Sequence, residues 1–418
     1  MKPTLPLFFV LFFSLLCSCN TANDDPDPIK NIELDEKSAQ LVEADNAFGF
    51  DLFKTIREEI YKDSQDENIM ISPLSVSLAL GMAYNGADEN TKLEMENAMK
   101  LNGLTTEQIN NSYKSLIAAL QSLDEDVIFE IADAIYYADG FPVKQSFLDI
   151  NSNYYNAEVE AIDFGNSTDA LQTINGWVAD KTHDKIKKIL DSLSPDARMV
   201  LLNAIYFYGN WSVEFEEDAT KMRPFYFADG TSEDVETMHK EDQLDYTENE
   251  LFSAVKLPYG AGQYNMVVML PAGENNSGDL INTLNVDNWK SWNDQFGTRD
   301  NVVVNLPRFK FEFESKLNEM LKLMGMIDAF SPVDADFSNI SDIYLYISSI
   351  IHKTYIDVNE TGTEAAAVTA IVFETTSALP TTEKTYFTVN KPFVFAITEK
   401  DTDAILFIGE VQKPEYEE

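Results

Sequence analysis

Two serines, an asparagine and a histidine are the polar residues whose setting could support chemistry. Ser72 and Ser75 open an almost wholly apolar run, SPLSVSLALGMAYNG. Asn203 and His352 interrupt strand-like apolar runs, LLNAIYF and ISSIIHKTYI. A serine beside a histidine is the pairing of a nucleophile with its base. A buried polar group also costs a few kcal/mol unless it is hydrogen-bonded, so the same four residues could form a network joining a helix to a sheet. Each could equally be satisfied separately by backbone or water. A nucleophile has to meet its substrate, and all four sit in runs that should be buried. The network is therefore favoured over a hydrolase using Ser72 or Ser75 with His352.

Other chemistry is missing from the sequence. There is no GxSxG elbow, no GxxxxGK[ST] phosphate loop and no HExxH pair. His183, His239 and His352 are the three histidines, each isolated. The chain carries 71 acidic and 30 basic residues, a net charge of −41. No acidic spacing singles out a glycosidase pair, and most of the carboxylates read as solvated surface. That charge argues against binding nucleic acid, whose phosphates need Lys and Arg, and against a basic patch on anionic lipid. No cofactor or metal is implied.

A second stretch is harder to classify. Residues 359–377, NETGTEAAAVTAIVFETTS, are too small-sided for ordinary core and too apolar for an ordinary linker. Thr361 to Glu364 matches a capping box and three alanines follow, which favours helix. Val368, Thr369, Ile371, Val372 and Phe373 favour strand. Read as a strand, one face is Thr363, Ala365, Ala367, Thr369, Ile371 and Phe373, without charge and small at its start. The other face, with Glu364 and Glu374, tolerates solvent. Such a segment suits being either a loop or a strand that slides between two others. Periodicity alone does not distinguish it from an ordinary sheet strand.

The elements that must position these residues mix helix and strand. Phe48, Leu52, Ile56 and Ile60 recur every four residues and mark a first helix. Ser72-Pro73 is a helix start, a hydroxyl N-cap followed by proline. Helical patterns follow near 91–100 and 106–122. Strand-like runs occupy 127–138 and 199–209. The runs at 254–259 and 264–272 read as a hairpin across GAG. VVVNLPRFKFEF (302–313) reads as strand before a helix, SKLNEMLKLMG, and residues 387–411 read as a final hairpin. Helices dominate early and strands late, which indicates an α+β fold rather than a βαβ alternation.

The N-terminus reads as a targeting segment. Lys2 precedes the apolar run LPLFFVLFFSLL, the right length for a signal-peptide core. Leu16-Cys17-Ser18-Cys19 resembles the lipobox of bacterial lipoproteins, which implies cleavage after Ser18 and lipidation of Cys19. The alternative is a plain secretory signal in which Cys19 has no role. The expected organisation is a signal peptide over 1–18, an acidic flexible tether over 19–40, and one folded domain over 41–418. The mature chain would keep only Cys19, so an exported protein would be held by its core without an internal disulfide.

Five motifs in order resemble the serpin family, and the resemblance covers about 45–414. They are NIMISPLSVSLALGMAYNGA (68–87), LLNAIYFYGNWSVEF (201–215) with Trp211, LPRFKFE (306–312), IIHKTYIDVNETGTEAAAVTA (350–370) and FTVNKPFVFAI (387–397). The resemblance implies three β-sheets, about nine helices and an exposed reactive-centre loop. It implies a suicide inhibitor of serine proteases. The protease cuts the loop, and the loop inserts into the central sheet before the acyl-enzyme is hydrolysed. A strand of ~15 residues would carry the enzyme ~50 Å, and the uncut fold would be kinetically trapped. The partner would be one protease per monomer, in a covalent 1:1 complex.

By the same resemblance the hinge is Glu360, Gly362, Thr363, Glu364, Ala365, Ala366, Ala367, Val368 and Thr369. Val368 stands where alanine is commoner. Ser72, Ser75, Asn203 and His352 become the network beneath the opening sheet, and Trp211 sits at the sheet top. Family spacing puts the reactive bond at Thr376–Ser377. The loop is about five residues longer than usual, so Ala378–Leu379 and Phe373–Glu374 stay open as alternatives. A small cleavage residue suits an elastase- or subtilisin-like protease, and Phe373 a chymotrypsin-like one. With no Arg between 360 and 383, a trypsin-like target is disfavoured. Alternatives are a non-inhibitory binding protein of the same fold and an inhibitor of papain-like cysteine proteases. The expected location is exported, lipid-anchored to the envelope or surface of a bacterium or released from it.

Overall fold

A computed structural model of the chain describes residues 30–416, apart from 65, 195–196 and 364–382. Cys19, the signal-like run and the loop positions Glu364 to Leu379 lie outside the described residues.

The chain starts with α1 (Glu36–Ile60), β1 (Ile69–Ile71), α2 (Pro73–Tyr84), α3 (Glu89–Ala98) and α4 (Thr106–Gln121). Next come β2 (Val127–Ala138), α5 (Gln145–Tyr154), β3 (Glu158–Ile162), α6 (Ser167–Lys181) and β4 (Met199–Asn210). Four strands follow: β5 (Lys221–Tyr226), β6 (Ser232–Glu248), β7 (Phe252–Tyr259) and β8 (Tyr264–Pro271). The helices α7 (Ser277–Thr283) and α8 (Val286–Asn293) lead to β9 (Gly297–Pro307), β10 (Phe309–Lys316) and α9 (Asn318–Leu323). The chain closes with β11 (Ile351–Val358), β12 (Gly362–Thr363), β13 (Thr385–Thr388), β14 (Phe393–Glu399) and β15 (Ile405–Val411). Helices lead and strands follow, the α+β order expected from sequence.

Local chemistry explains the helix that matters most. The Ser72 hydroxyl caps α2 by accepting from the Ser75 N–H at 3.2 Å, and Pro73 fills the first turn. Every residue of α2 except Ala79 is buried. A helix apolar all round belongs inside, and α2 lies between α1 and the sheet carrying β4.

Among the described residues the strands make a six-stranded sheet in the order β10-β11-β12-β4-β2-β3 and a nine-stranded set. In the latter, β6 is shared. It pairs with β5 and β9 along most of its length, shifts register between Asp242 and Leu244, and pairs with β7 only at its end. That division gives three sheets. Alternation decides what each face of the six-stranded sheet buries. Phe129 and Phe207 point into the main core against Tyr264. Ala134, Tyr136, Leu202 and Ala204 point the other way, onto Ile174, Trp177 and Val178 of α6.

Four expectations need correction. VVVNLPRFKFEF is not one strand: it breaks after Pro307 and supplies β9 to one sheet and β10 to another. Proline fixes φ and lacks an N–H, so the ladder ends there. Ser315 and Lys316 finish β10 and the helix behind them is only Asn318–Leu323. In the C-terminal stretch only β14 and β15 form the hairpin, while Phe387 lies in β13, parallel to β9. The stretch expected to be flexible up to residue 40 is also docked from Lys30 onward. Lys30 Nζ donates to Ser122 O at 3.0 Å, and the Ile32 N–H donates to Asp401 Oδ2 at 3.0 Å. Ile32 and Leu34 pack on the core, and α1 begins at Glu36 under an Asp35 cap. Two apolar residues two apart suffice to dock a stretch whose composition reads as solvated.

Candidate functional site

The site is built where β11 reverses into β12. The turn closes with Asn359 N–H donating to Gly362 O at 3.0 Å. It brings Gly362 and Thr363 back between β11 and β4, pairing Thr363 with Val358 on one side and with Gly209 on the other. Of the helix and strand readings of this stretch, Gly362 and Thr363 are strand. Gly362 is required by contact: a Cβ there would lie 2.1 Å from Gly209 O and 2.7 Å from Asn210 Cα.

The turn is held from three directions. Glu360 is 3% exposed, and Arg308 Nε reaches both of its carboxylate oxygens at 2.8 Å. Thr220 Oγ1 donates to the same carboxylate, and the Phe215 N–H donates to Glu360 O at 2.9 Å. Trp211 donates its backbone N–H to Thr361 O and its indole N–H to Asn359 O, each at 2.9 Å. Its ring stacks on Tyr259 at 4.5 Å. The hydroxyls of Tyr259 and Thr363 are hydrogen-bonded, and burial raises the Tyr259 hydroxyl far above its usual range.

Past Thr363 the sheet has a seam. Among the described residues no ladder pairs β4 with β11, which are joined only through β12. A cleft opens there, flanked by Ile205 and Phe207 of β4 and by Thr354 and Ile356 of β11, with Thr363 at its head.

Beneath the seam lie the four polar residues singled out from sequence, and three are connected. His352 Nε2 accepts from the Ser72 N–H at 3.0 Å, while the Ser72 hydroxyl caps Ser75. Burial holds the His352 imidazole down at about 4, so it stays a neutral acceptor. Asn203 is not part of this set. Its amide donates to Asp133 Oδ1 of β2 at 2.9 Å, and its own Oδ1 has no partner among the described residues. The reason is position: Asn203 stands on β4 and His352 on β11, across the open seam. Asp133 is the buried member that sequence reading missed, although IADAIYY carries the same signal as LLNAIYF, a polar residue inside an apolar strand. Burial pushes its carboxyl up to about 7, with the Asn203 amide opposing.

This geometry is wrong for catalysis by Ser72. The histidine nitrogen is engaged by a backbone N–H rather than by a hydroxyl, and Ser72, Ser75 and His352 are all buried. Arg308, Thr220 and Tyr259 were also not anticipated. Arg308 lies within the quoted LPRFKFE run, but nothing local to it points to Glu360. Among the described residues no group of three His, Cys, Asp or Glu could hold a metal ion, and no helix is long and apolar enough to cross a membrane.

The family model described as serpin (serine protease inhibitor) matches residues 43–414. An uncharacterized serpin-like protein of Methanosarcina acetivorans is 36% identical, over 90% of this chain and 87% of its own. The crystal structure of a thermophilic serpin, Tengpin, in the native state superposes with a TM-score of 0.80 at 33% identity, covering 93% of this chain and 97% of that one. Thyroxine-binding globulin in complex with thyroxine superposes at 0.79 with 27% identity, covering 90% of this chain and all of that one. With three sheets, Gly362 and Thr363 seated between β11 and β4, and a family match spanning nearly the whole folded body, this chain belongs to the serpin family.

Proposed function

We propose that the chain is a suicide-substrate inhibitor of serine proteases, acting by insertion of its cleaved loop between β4 and β11. The observation that carries the reading is β12 itself. Gly362 and Thr363 head an unladdered seam, so a following strand has a register waiting for it.

Continuing that register fixes each later residue. Ala365 would fall between Phe207 and Ile356, Ala367 between Ile205 and Thr354, and Thr369 between Asn203 and His352. These inward positions are the uncharged, small-leading face seen in the sequence. Thr369 would bring a hydroxyl beside the unpaired Asn203 Oδ1, and buried polar groups favour arrangements that pair them. Glu364 to Thr369 thus act as the entering hinge. Glu360 and Arg308 anchor the strand start, and Trp211 covers it.

The protease target in this reading is elastase- or subtilisin-like, cutting at Thr376–Ser377. Cutting at Ala378–Leu379 would keep that preference, and cutting at Phe373–Glu374 would shift it to a chymotrypsin-like enzyme. One protease would be trapped per monomer. We further propose that Cys19 carries a lipid and that the acidic segment before Lys30 tethers the inhibitor to a bacterial envelope. Cys19→Ser should then release it to the soluble fraction, and unchanged partitioning would refute the anchor.

The test of function is incubation with elastase, subtilisin and chymotrypsin. A band stable in SDS at the summed mass is expected, with the cut bond read by mass spectrometry. A second reading is a non-inhibitory binding protein, which the likeness to thyroxine-binding globulin keeps in view. It predicts clean cleavage without a complex and no rise in the thermal midpoint after cutting. That result with all three enzymes would overturn inhibition.

A further inference from the structure

The seam is roofed. After α6 the chain makes a tight turn at Thr182–Ile186, whose Thr182, Lys185 and Ile186 line the cleft beneath it. The turn is unusual in backbone: His183 and Asp184 are consecutive non-glycine residues with φ of 49° and 63°. Such conformations cost energy and persist where surrounding contacts impose them. Thr182 Oγ1 accepts from the Ile186 N–H at 3.1 Å, and the Asp184 N–H donates to Ala179 O at 2.7 Å.

The turn touches both banks of the seam. On one bank the His183 ring lies 4.3 Å from the ring of Tyr206 on β4, and its Nε2–H donates to Glu130 Oε2 on β2 at 2.9 Å. On the other bank Lys185 Nζ sits over the Tyr355 ring of β11 at 5.4 Å. The register of β12, continued, puts position 366 between Tyr206 and Tyr355, directly under the turn. A strand cannot enter there until the turn lifts from the sheet, and lifting breaks the His183–Glu130 contact.

We infer that His183 and Glu130 form a pH-sensitive latch on this roof, so that strand insertion is faster at neutral than at mildly acidic pH. The inference rests on the insertion reading above. Imidazole is the side chain that ordinarily gains charge between pH 8 and 5. A protonated ring facing a carboxylate makes a charge-assisted hydrogen bond, stronger than the neutral one. Other charged groups surround the pair. Lys181 is paired with Glu158 of β3, Asp180 and Asp184 flank the ring on its own segment, and Lys185 faces Tyr355. Tyr206 is the group facing the ring from β4.

The experiment uses the intact protein and a synthetic peptide with the sequence of residues 364–376. Annealing of the peptide into the seam is followed by the rise in thermal midpoint, so no protease with its own pH profile intervenes. For a half-exposed pair the rate at pH 7.5 should exceed that at pH 5.5 by about three- to fivefold. His183→Gln and Glu130→Gln should each bring the ratio to about one and raise the rate at pH 5.5. Equal rates at both pH values in the unaltered protein, or a ratio that survives in both variants, overturns the latch while leaving insertion intact. Failure of the peptide to anneal in any of the three proteins overturns insertion itself, and the latch with it.

Discussion

Replacing Asp133 with asparagine should stabilise the uncut protein at alkaline pH and do progressively less as the pH falls. Asp133 is 2% exposed, accepts one hydrogen bond from Asn203 and leaves Oδ2 unpaired. Burial raises its carboxyl from 3.8 to about 7. The folded chain therefore binds a proton that the unfolded chain has lost between those values. The stability so contributed is complete below about 3.8 and is lost as the pH rises through 7. Three pH units at 1.36 kcal/mol each make ~4 kcal/mol in all. Of this, ~3 kcal/mol falls between pH 5 and pH 8.5. For a folded body of this length that is about 3–4 °C in thermal midpoint. Asparagine has the same shape, can still accept from Asn203 and carries no charge to bury. Asp45 is also raised to about 7, against Tyr113, but it is common to both proteins and cancels in the difference. Midpoints should be compared at one fixed scan rate, because a midpoint from irreversible unfolding depends on scan rate. A difference that does not grow from pH 5 to pH 8.5, or a variant less stable than the parent at pH 8.5, would refute the reasoning.

Two further changes probe the seam. His352 is held neutral at about 4, so its contribution is complete above about 6.5 and is lost as the pH falls through 4, a loss of ~3 kcal/mol. His352→Gln, which can still accept from the Ser72 N–H, should flatten the acid limb of the thermal midpoint; an unchanged limb counts against it. Gly362→Ala would put a methyl group 2.1 Å from Gly209 O and so exclude the hinge from between β4 and β11. Such crowding costs about 1–3 kcal/mol. The loop should still be cut, and the inhibitor consumed per protease trapped should rise about tenfold. A complex yield equal to the parent's would show that the hinge does not enter there.

Much of this site was legible in the sequence, and what was not has a physical reason. α2 was legible because its cap, proline and apolar run are contiguous. Ser72 and His352 were legible because a polar residue in an apolar run must find a partner: the Ser72 hydroxyl found the Ser75 N–H, and the His352 ring found the Ser72 backbone N–H across 280 positions. Asn203 followed the same rule but satisfied it with Asp133, because hydrogen bonding specifies that a partner exists and not which one. The division of 302–313 was hidden because both halves alternate as strands, and only the sheet each joins separates them. The Arg308–Glu360 pair links two elements 52 residues apart with no local trace. The turn at 182–186 was hidden because His and Asp tolerate left-handed conformations without requiring them, so residue type alone does not mark the turn.

The order of residues along the loop bears on what drives insertion. Each residue entering between β4 and β11 gains up to two backbone hydrogen bonds, about 1 kcal/mol each net. Fixing its backbone costs about 1–2 kcal/mol. The two nearly cancel, so the ladder alone makes entry close to neutral and side chains decide. In the continued register the first inward residues are Ala365 and Ala367, which add little burial and meet little resistance. Thr369 comes next, level with the unpaired Asn203 Oδ1 and the neutral His352. Relief of a buried unsatisfied acceptor is about 1–3 kcal/mol. Ile371 and Phe373 follow, each contributing about 1.5–3 kcal/mol on burial. The gain therefore lies late in the strand, while its leading third is nearly flat. The proposed latch over position 366 would act on that flat part, where a small barrier would decide whether insertion outruns hydrolysis of the acyl-enzyme. On the proposed mechanism, thermodynamic drive and kinetic control would reside in different residues: the first in Thr369, Ile371 and Phe373, the second in Gly362, His183 and Glu130.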